Sequence, residues 1–156
     1  MPAGPHIGGL FYAVWSNLIM EEVRLTWLKG RQFIGVDGSR HSIVVSAQQP
    51  GDRIGMKPTD LLLISLASCT AVDVVEILKK KRQNIEALEI EVEGQQDEEP
   101  PWAFRHIHLK YRIRGGDMSA AAVEKAIELA ESKYCSVSAS LRPQVAITTS
   151  FEIEGS

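Results

Sequence analysis

Cys69 and Cys135 are the side chains in this sequence best suited to chemistry. A thiolate can attack a peroxide oxygen, become a sulfenic acid, and be captured by a second thiol as a disulfide. Capture requires the two Cα atoms to come within about 4.4–6.8 Å. Their wide separation along the chain matches no zinc pattern, which needs closely spaced Cys or His pairs. Taken singly, each cysteine also reads as a core residue, because free cysteines are among the most buried residue types. Their surroundings shift that balance. Cys69 lies in the small-residue run Ala67-Ser68-Cys69-Thr70-Ala71, which leaves room beside the sulfur. Cys135 lies in Tyr134-Cys135-Ser136-Val137-Ser138, just past the end of a helical pattern. There the negative end of the helix dipole disfavours a thiolate. Cys69 falls nearer mid-helix, where desolvation also opposes a thiolate, so it needs a cation.

Other chemistry is poorly served. His106 and His108 share one strand face without an evident third metal ligand, so they read as solvated or ion-paired. The three tryptophans show no stacking pattern, and no nucleophile elbow, phosphate loop or metalloprotease helix is present. A net charge of −3 gives no electrostatic reason to expect nucleic acid. The run Lys79-Lys80-Lys81-Arg82 reads as cations gathered at a helix C-terminus. Two cysteines do not make a secreted disulfide scaffold, and no cleavable signal sequence is evident, which favours the cytoplasm.

The elements that must position these residues follow from periodicity. The 156 residues, 44% hydrophobic and 24% charged, suit one globular domain over residues 20–156. Residues 1–19 read as an extension or a misassigned start, because Met20 directly precedes a strand-like pattern. Glu21–Leu28, Gln32–Val36 and His41–Ala47 alternate as three strands, with Asp37-Gly38 as a hairpin signal. Pro58 then opens a helix to Lys80, with Asp60 in its first turn. That helix is apolar almost all round and must be buried on most faces. A membrane span is the rival reading, but Asp73, Glu76 and the hydroxyl residues interrupt it. Ile85–Gly94 and Phe104–Ile113 read as strands whose polar faces oppose acids to bases in a hairpin. Asp117–Ser119 caps a second helix running to about Tyr134, and Gln144–Ile153 closes as a strand. Strand runs interrupted by two segregated helices argue an α+β fold. So small a chain has few elements to surround an apolar helix, which predicts a homodimer.

Lys57-Pro58-Thr59-Asp60-Leu61-Leu62-Leu63 running into Ala67-Ser68-Cys69, followed by Ala130-Glu131-Ser132-Lys133-Tyr134-Cys135-Ser136-Val137-Ser138, resembles the OsmC/Ohr family. These are the osmotically inducible and organic hydroperoxide resistance proteins. The resemblance covers roughly Glu21 to Glu154, and Cys-x-Ala-x-Asp-Val-Val at Cys69–Val75 is similar to the YhfA-like branch. It implies an OsmC-like fold in an intertwined homodimer with sites at the subunit interface. It also implies reduction of organic hydroperoxides without metal, flavin or other cofactor, reset by an external dithiol. By the same resemblance Cys69 is the peroxidatic thiol, Cys135 the resolving thiol, and Arg31 after Gly30 the supporting cation. Read from the residues alone, Arg31 is equally a solvated turn residue.

One position departs from the family. Its peroxidases orient that arginine with a glutamate where this chain has Thr59. Asp60 follows, but the next residue on a helix points about 100° away. Asp73, one turn beyond Cys69, is another candidate partner. The missing carboxylate leaves two alternatives open: a dimer of the same fold binding an apolar small molecule, or a structural dimer with two buried thiols. The apolar setting of Cys69 favours alkyl or lipid peroxides over hydrogen peroxide.

Overall fold

The computed structural model describes residues 21–155, so the expectation for residues 1–19 lies outside the described residues. The described residues fall into two compact units, one ending at Lys57 and one beginning at Pro58.

The first unit is a three-stranded antiparallel meander of β1 (Val23–Lys29), β2 (Gln32–Asp37) and β3 (Ser42–Ser46). Gly30 turns β1 into β2 at a φ of 51°, which L side chains rarely adopt, and a Cβ there would lie 2.9 Å from Asp52 Oδ1. Trp27 Nε1 donates to the Gly30 carbonyl at 2.9 Å, further fixing this turn. At the next turn the Asp37 carboxylate accepts the His41 backbone N–H at 2.8 Å and meets its ring Nδ1 at 2.9 Å. Those hydrogen bonds hold the Asp37 carboxyl below its usual range.

The second unit carries the core. Helix α1 (Pro58–Lys80) is followed by β4 (Asn84–Gln96), β5 (Phe104–Gly116), α2 (Ala120–Leu129), a wide π turn (Ala130–Tyr134), α3 (Ser136–Leu141) and β6 (Ala146–Glu154). The sheet runs β4-β5-β6, with β4 and β5 antiparallel and β6 parallel to β5. A parallel neighbour needs a crossover, and α2 through α3 supply it. The central strand β5 alternates strictly: Ile107, Leu109, Tyr111 and Ile113 are fully buried against Leu66, Val74 and Leu78 of α1 and Val123 and Ala126 of α2. The other face is polar. Register pairs Glu89 with Arg112, Glu91 with Lys110 and Glu93 with His108, the expected opposition of acids and bases. Lys110 also bridges to Glu152 on β6 at 2.6 Å.

The α+β architecture agrees with the sequence reading, and α1 has the predicted bounds. Two details differ. The helical segment before Cys135 is not one α-helix to Tyr134: α2 stops at Leu129, the π turn intervenes, and the unforeseen α3 follows. Within one chain, α1 is also buried along a stripe rather than on most faces. Leu66, Thr70, Val74 and Leu78, spaced by four, are buried, whereas Ile64 and Val72 are 47% and 65% exposed. By length and composition α1 is the one helix among the described residues apolar enough to cross a membrane. It packs on β4, α2, the π turn and α3 as a core helix does.

Candidate active site

The site is built where α1 meets the segment following α2. Proline at the first position of α1 loses no hydrogen bond, and the small residues around Cys69 let neighbouring elements approach. Cys69 is half-buried and packs against the core. Its neighbour Thr70 ties this turn of α1 to the sheet. The buried Tyr111 hydroxyl donates to Thr70 Oγ1 at 2.9 Å, and that hydroxyl donates back toward the carbonyls of Leu66 and Ala67 at 3.3 and 3.0 Å. Burial pushes Tyr111 up to about 12, with the charges of Glu131 and Cys135 nearby acting in the same direction.

Cys135 is 2% exposed. Its backbone N–H closes the π turn onto the Ala130 carbonyl at 2.8 Å. Its own backbone is extended (φ −72°, ψ 106°), and it serves as the N-cap of α3, its Sγ accepting the Ser138 N–H at 3.2 Å. The expected helix-end environment is therefore only half the picture. The sulfur also faces the N-terminal amides of a second helix, and the Ser138 and Val137 N–H groups favour its thiolate. Burial outweighs them, and the neighbouring Cys69 adds to it, pushing Cys135 up to about 11. Cys69 is among the groups that raise the Cys135 thiol, so two residues far apart in sequence stand close enough to interact, with no disulfide between them.

Two further side chains complete the surroundings of Cys135. Arg142, which follows α3, donates through Nε to Ser138 Oγ at 3.2 Å and through Nη2 to Glu131 Oε1 on the π turn. Glu131 is only 10% exposed in its side chain, and burial raises its carboxyl above the usual range while Arg142 opposes the shift. Sequence reasoning missed this pair. The available signals were hydroxyl residues after Cys135, a short helical run, and the stop at Pro143 directly after Arg142.

A groove of about 480 Å³ opens between Leu61, Leu62 and Ser65 of α1 and Val137, Ser140 and Leu141 of α3. Ser65 lies one helical turn before Cys69, and Val137 lies two residues after Cys135. The groove offers an apolar wall with hydroxyl groups along it.

The sequence matches the family described as OsmC-like protein over residues 50–150. It is 36% identical over 132 residues to protein YhfA of Escherichia coli strain K12, covering 85% of this chain and 97% of that one. The chain belongs to the OsmC-like family. Among solved structures, a hypothetical protein from Aquifex aeolicus VF5 superposes with a TM-score of 0.80 at 32% identity, covering 89% of this chain and 99% of that chain. The organic hydroperoxide resistance protein OhrB of Bacillus subtilis shares the fold, with a TM-score of 0.60 at 17% identity over 86% of this chain and 99% of that one.

Arg31 lies in the first unit, exposed on the turn between β1 and β2, its carbonyl accepting the Ala47 N–H at 3.2 Å. Thr59 is the second residue of α1 and half-buried. Asp60 lies half a turn around the helix from Cys69, lining a separate groove of about 550 Å³ with Leu63, Ala67 and Ile90. Asp73 is half-buried, one turn beyond Cys69 on the same side of α1. His106 Nε2 and His108 Nδ1 both meet Thr148 Oγ1, at 2.9 and 2.8 Å, on the polar sheet face.

Proposed function

We propose that this OsmC-like protein reduces organic hydroperoxides to alcohols, with Cys69 as the attacking thiol and Cys135 as the resolving thiol. The observation supporting it is that Cys69 and Cys135, far apart in sequence, lie close enough to interact while both are free thiols. In the first step Cys69 sulfur takes the distal oxygen of the hydroperoxide. The O–O bond breaks, the alcohol leaves with a proton, and Cys69 becomes a sulfenic acid. In the second, Cys135 sulfur attacks Cys69 sulfur; the S–O bond breaks, the hydroxide takes the Cys135 proton and leaves as water, and a disulfide forms. An external dithiol then reduces the bridge.

The apolar groove between α1 and α3 favours an alkyl or lipid hydroperoxide, its chain lying on Leu61, Leu62 and Leu141. The name of the Bacillus subtilis neighbour points to the same substrate class. Arg31 is proposed as the cation that steadies the Cys69 thiolate, a role resting on the family resemblance. A second copy would cover the exposed Ile64 and Val72 of α1, and we place the working dimer in the cytoplasm.

A second reading, a dimer that binds an apolar molecule without turnover, draws on Thr59 in place of the family glutamate and on the same groove. Titrating free thiols before and after one equivalent of cumene hydroperoxide separates the two. The enzyme loses both thiols per chain, and Cys69→Ser keeps its remaining thiol. No loss in the wild type favours the binding dimer.

A further inference from the structure

We propose that Arg142, clamped by Glu131, is the positioning residue for the resolving half of the cycle, holding Cys135 at the approach to Cys69 through Ser138. This deepens the dithiol reading above and rests on it.

Cys135 stands at a junction between a π turn and a six-residue helix, neither of which is stable alone. Its sulfur is aimed by backbone N–H groups of the first turn of α3, Ser138 at 3.2 Å with Val137 beside it. What holds that turn is a side-chain bridge. Arg142 Nε bonds the fully buried Ser138 hydroxyl, and its Nη2 reaches back over the junction to Glu131. A planar guanidinium can hold both partners in one fixed fork, which an ammonium cannot reproduce. Glu131 is nearly buried, so its carboxylate is a costly group to keep there for stability alone. Among the described residues, the side-chain hydrogen bonds and ion pairs of Arg142 and Glu131 run to each other and to Ser138, not to Cys69, so the pair is assigned to the second step and not to the first.

The step it governs is the attack of Cys135 sulfur on Cys69 sulfur. The S–S bond forms as the S–O bond breaks, and the Cys135 proton leaves with the hydroxide as water. A shift of the sulfur by an ångström from its line of approach slows such a reaction by up to about 100-fold.

The test compares wild type with Arg142→Met, Arg142→Lys and Glu131→Gln, each checked by circular dichroism and thermal melting. Cumene hydroperoxide is mixed with each protein, and the Cys69 sulfenic acid is trapped with dimedone. The expected result is unchanged loss of the first thiol in Arg142→Met, with disulfide closure slowed roughly 10- to 100-fold and sulfenic acid accumulating. Arg142→Lys restores only part of the closure rate, and Glu131→Gln falls between lysine and wild type. A parallel arm uses diamide, an azodicarboxamide that forms an adduct on one thiol, which the second thiol then displaces. If cumene hydroperoxide consumes no thiols but diamide closure still depends on Arg142, the hydroperoxide reading fails and the positioning role stands. If diamide closure proceeds equally fast in wild type and Arg142→Met, or if both steps slow together, the positioning role is overturned.

Discussion

Cys135 Sγ accepts the backbone N–H of Ser138 at 3.2 Å, yet the thiol holds its proton more tightly than an ordinary cysteine. Burial and the adjacent Cys69 outweigh the helix amides. The consequence for stability has a definite sign. An unfolded cysteine ionises near pH 9, whereas folded Cys135 ionises near 11, so between these values the folded state binds more protons. Stability is full below the unfolded value and falls as pH rises through the folded one, by about 2–3 kcal/mol from this group. Urea unfolding from pH 7 to pH 11 should show that decline, and Cys135→Ala should flatten it. Tyr111, raised to about 12, adds a loss of the same sign above about pH 10 that the variant retains.

The hydrogen bond between Tyr111 and Thr70 predicts an asymmetry between two substitutions. Tyr111→Phe removes a buried donor, but Thr70 keeps its contacts to the Leu66 and Ala67 carbonyls, so the loss is about 1 kcal/mol. Thr70→Val strands the Tyr111 hydroxyl in the core and should cost more, about 1–3 kcal/mol. Equal effects in urea unfolding would contradict the placement of this bond.

The two faces of the second sheet predict a contrast as well. Leu66 is fully buried beside β5, and Leu66→Ala should cost about 2–5 kcal/mol. Arg112 bridges Glu91 at 2.8 Å on the exposed face, and Arg112→Ala should cost under about 1 kcal/mol, shrinking further in high salt. Chemical denaturation at two ionic strengths measures both.

Much of this was legible from periodicity. The strict alternation of Ile107 through Ile113 and the opposed charges of β4 and β5 specify the second sheet and its register, because a one-residue slip would bury every charge. Pro58 and Asp60 mark the start of α1. The junction around Cys135 was not legible in the same way. A five-residue π turn and a six-residue helix are too short to display a period, and both depend on tertiary contacts to form. Sequence pattern therefore merged the first with α2 and overlooked the second. The Arg142–Glu131 bridge was hidden for the same reason, since it joins two elements whose existence had to be known first. The exposed apolar side of α1 was legible as apolar, but amino-acid pattern alone does not say whether a residue is covered by its own chain.

Hydroperoxide turnover by this chain requires Cys69 and Cys135 to react with each other. Peptide mapping of the unreduced protein after one equivalent of cumene hydroperoxide tests this directly. The prediction is a single intrachain crosslinked peptide pair carrying Cys69 and Cys135, lost on treatment with dithiothreitol. Recovery of Cys69 as a sulfinic or sulfonic acid beside an unmodified Cys135, or of both thiols intact, would contradict it.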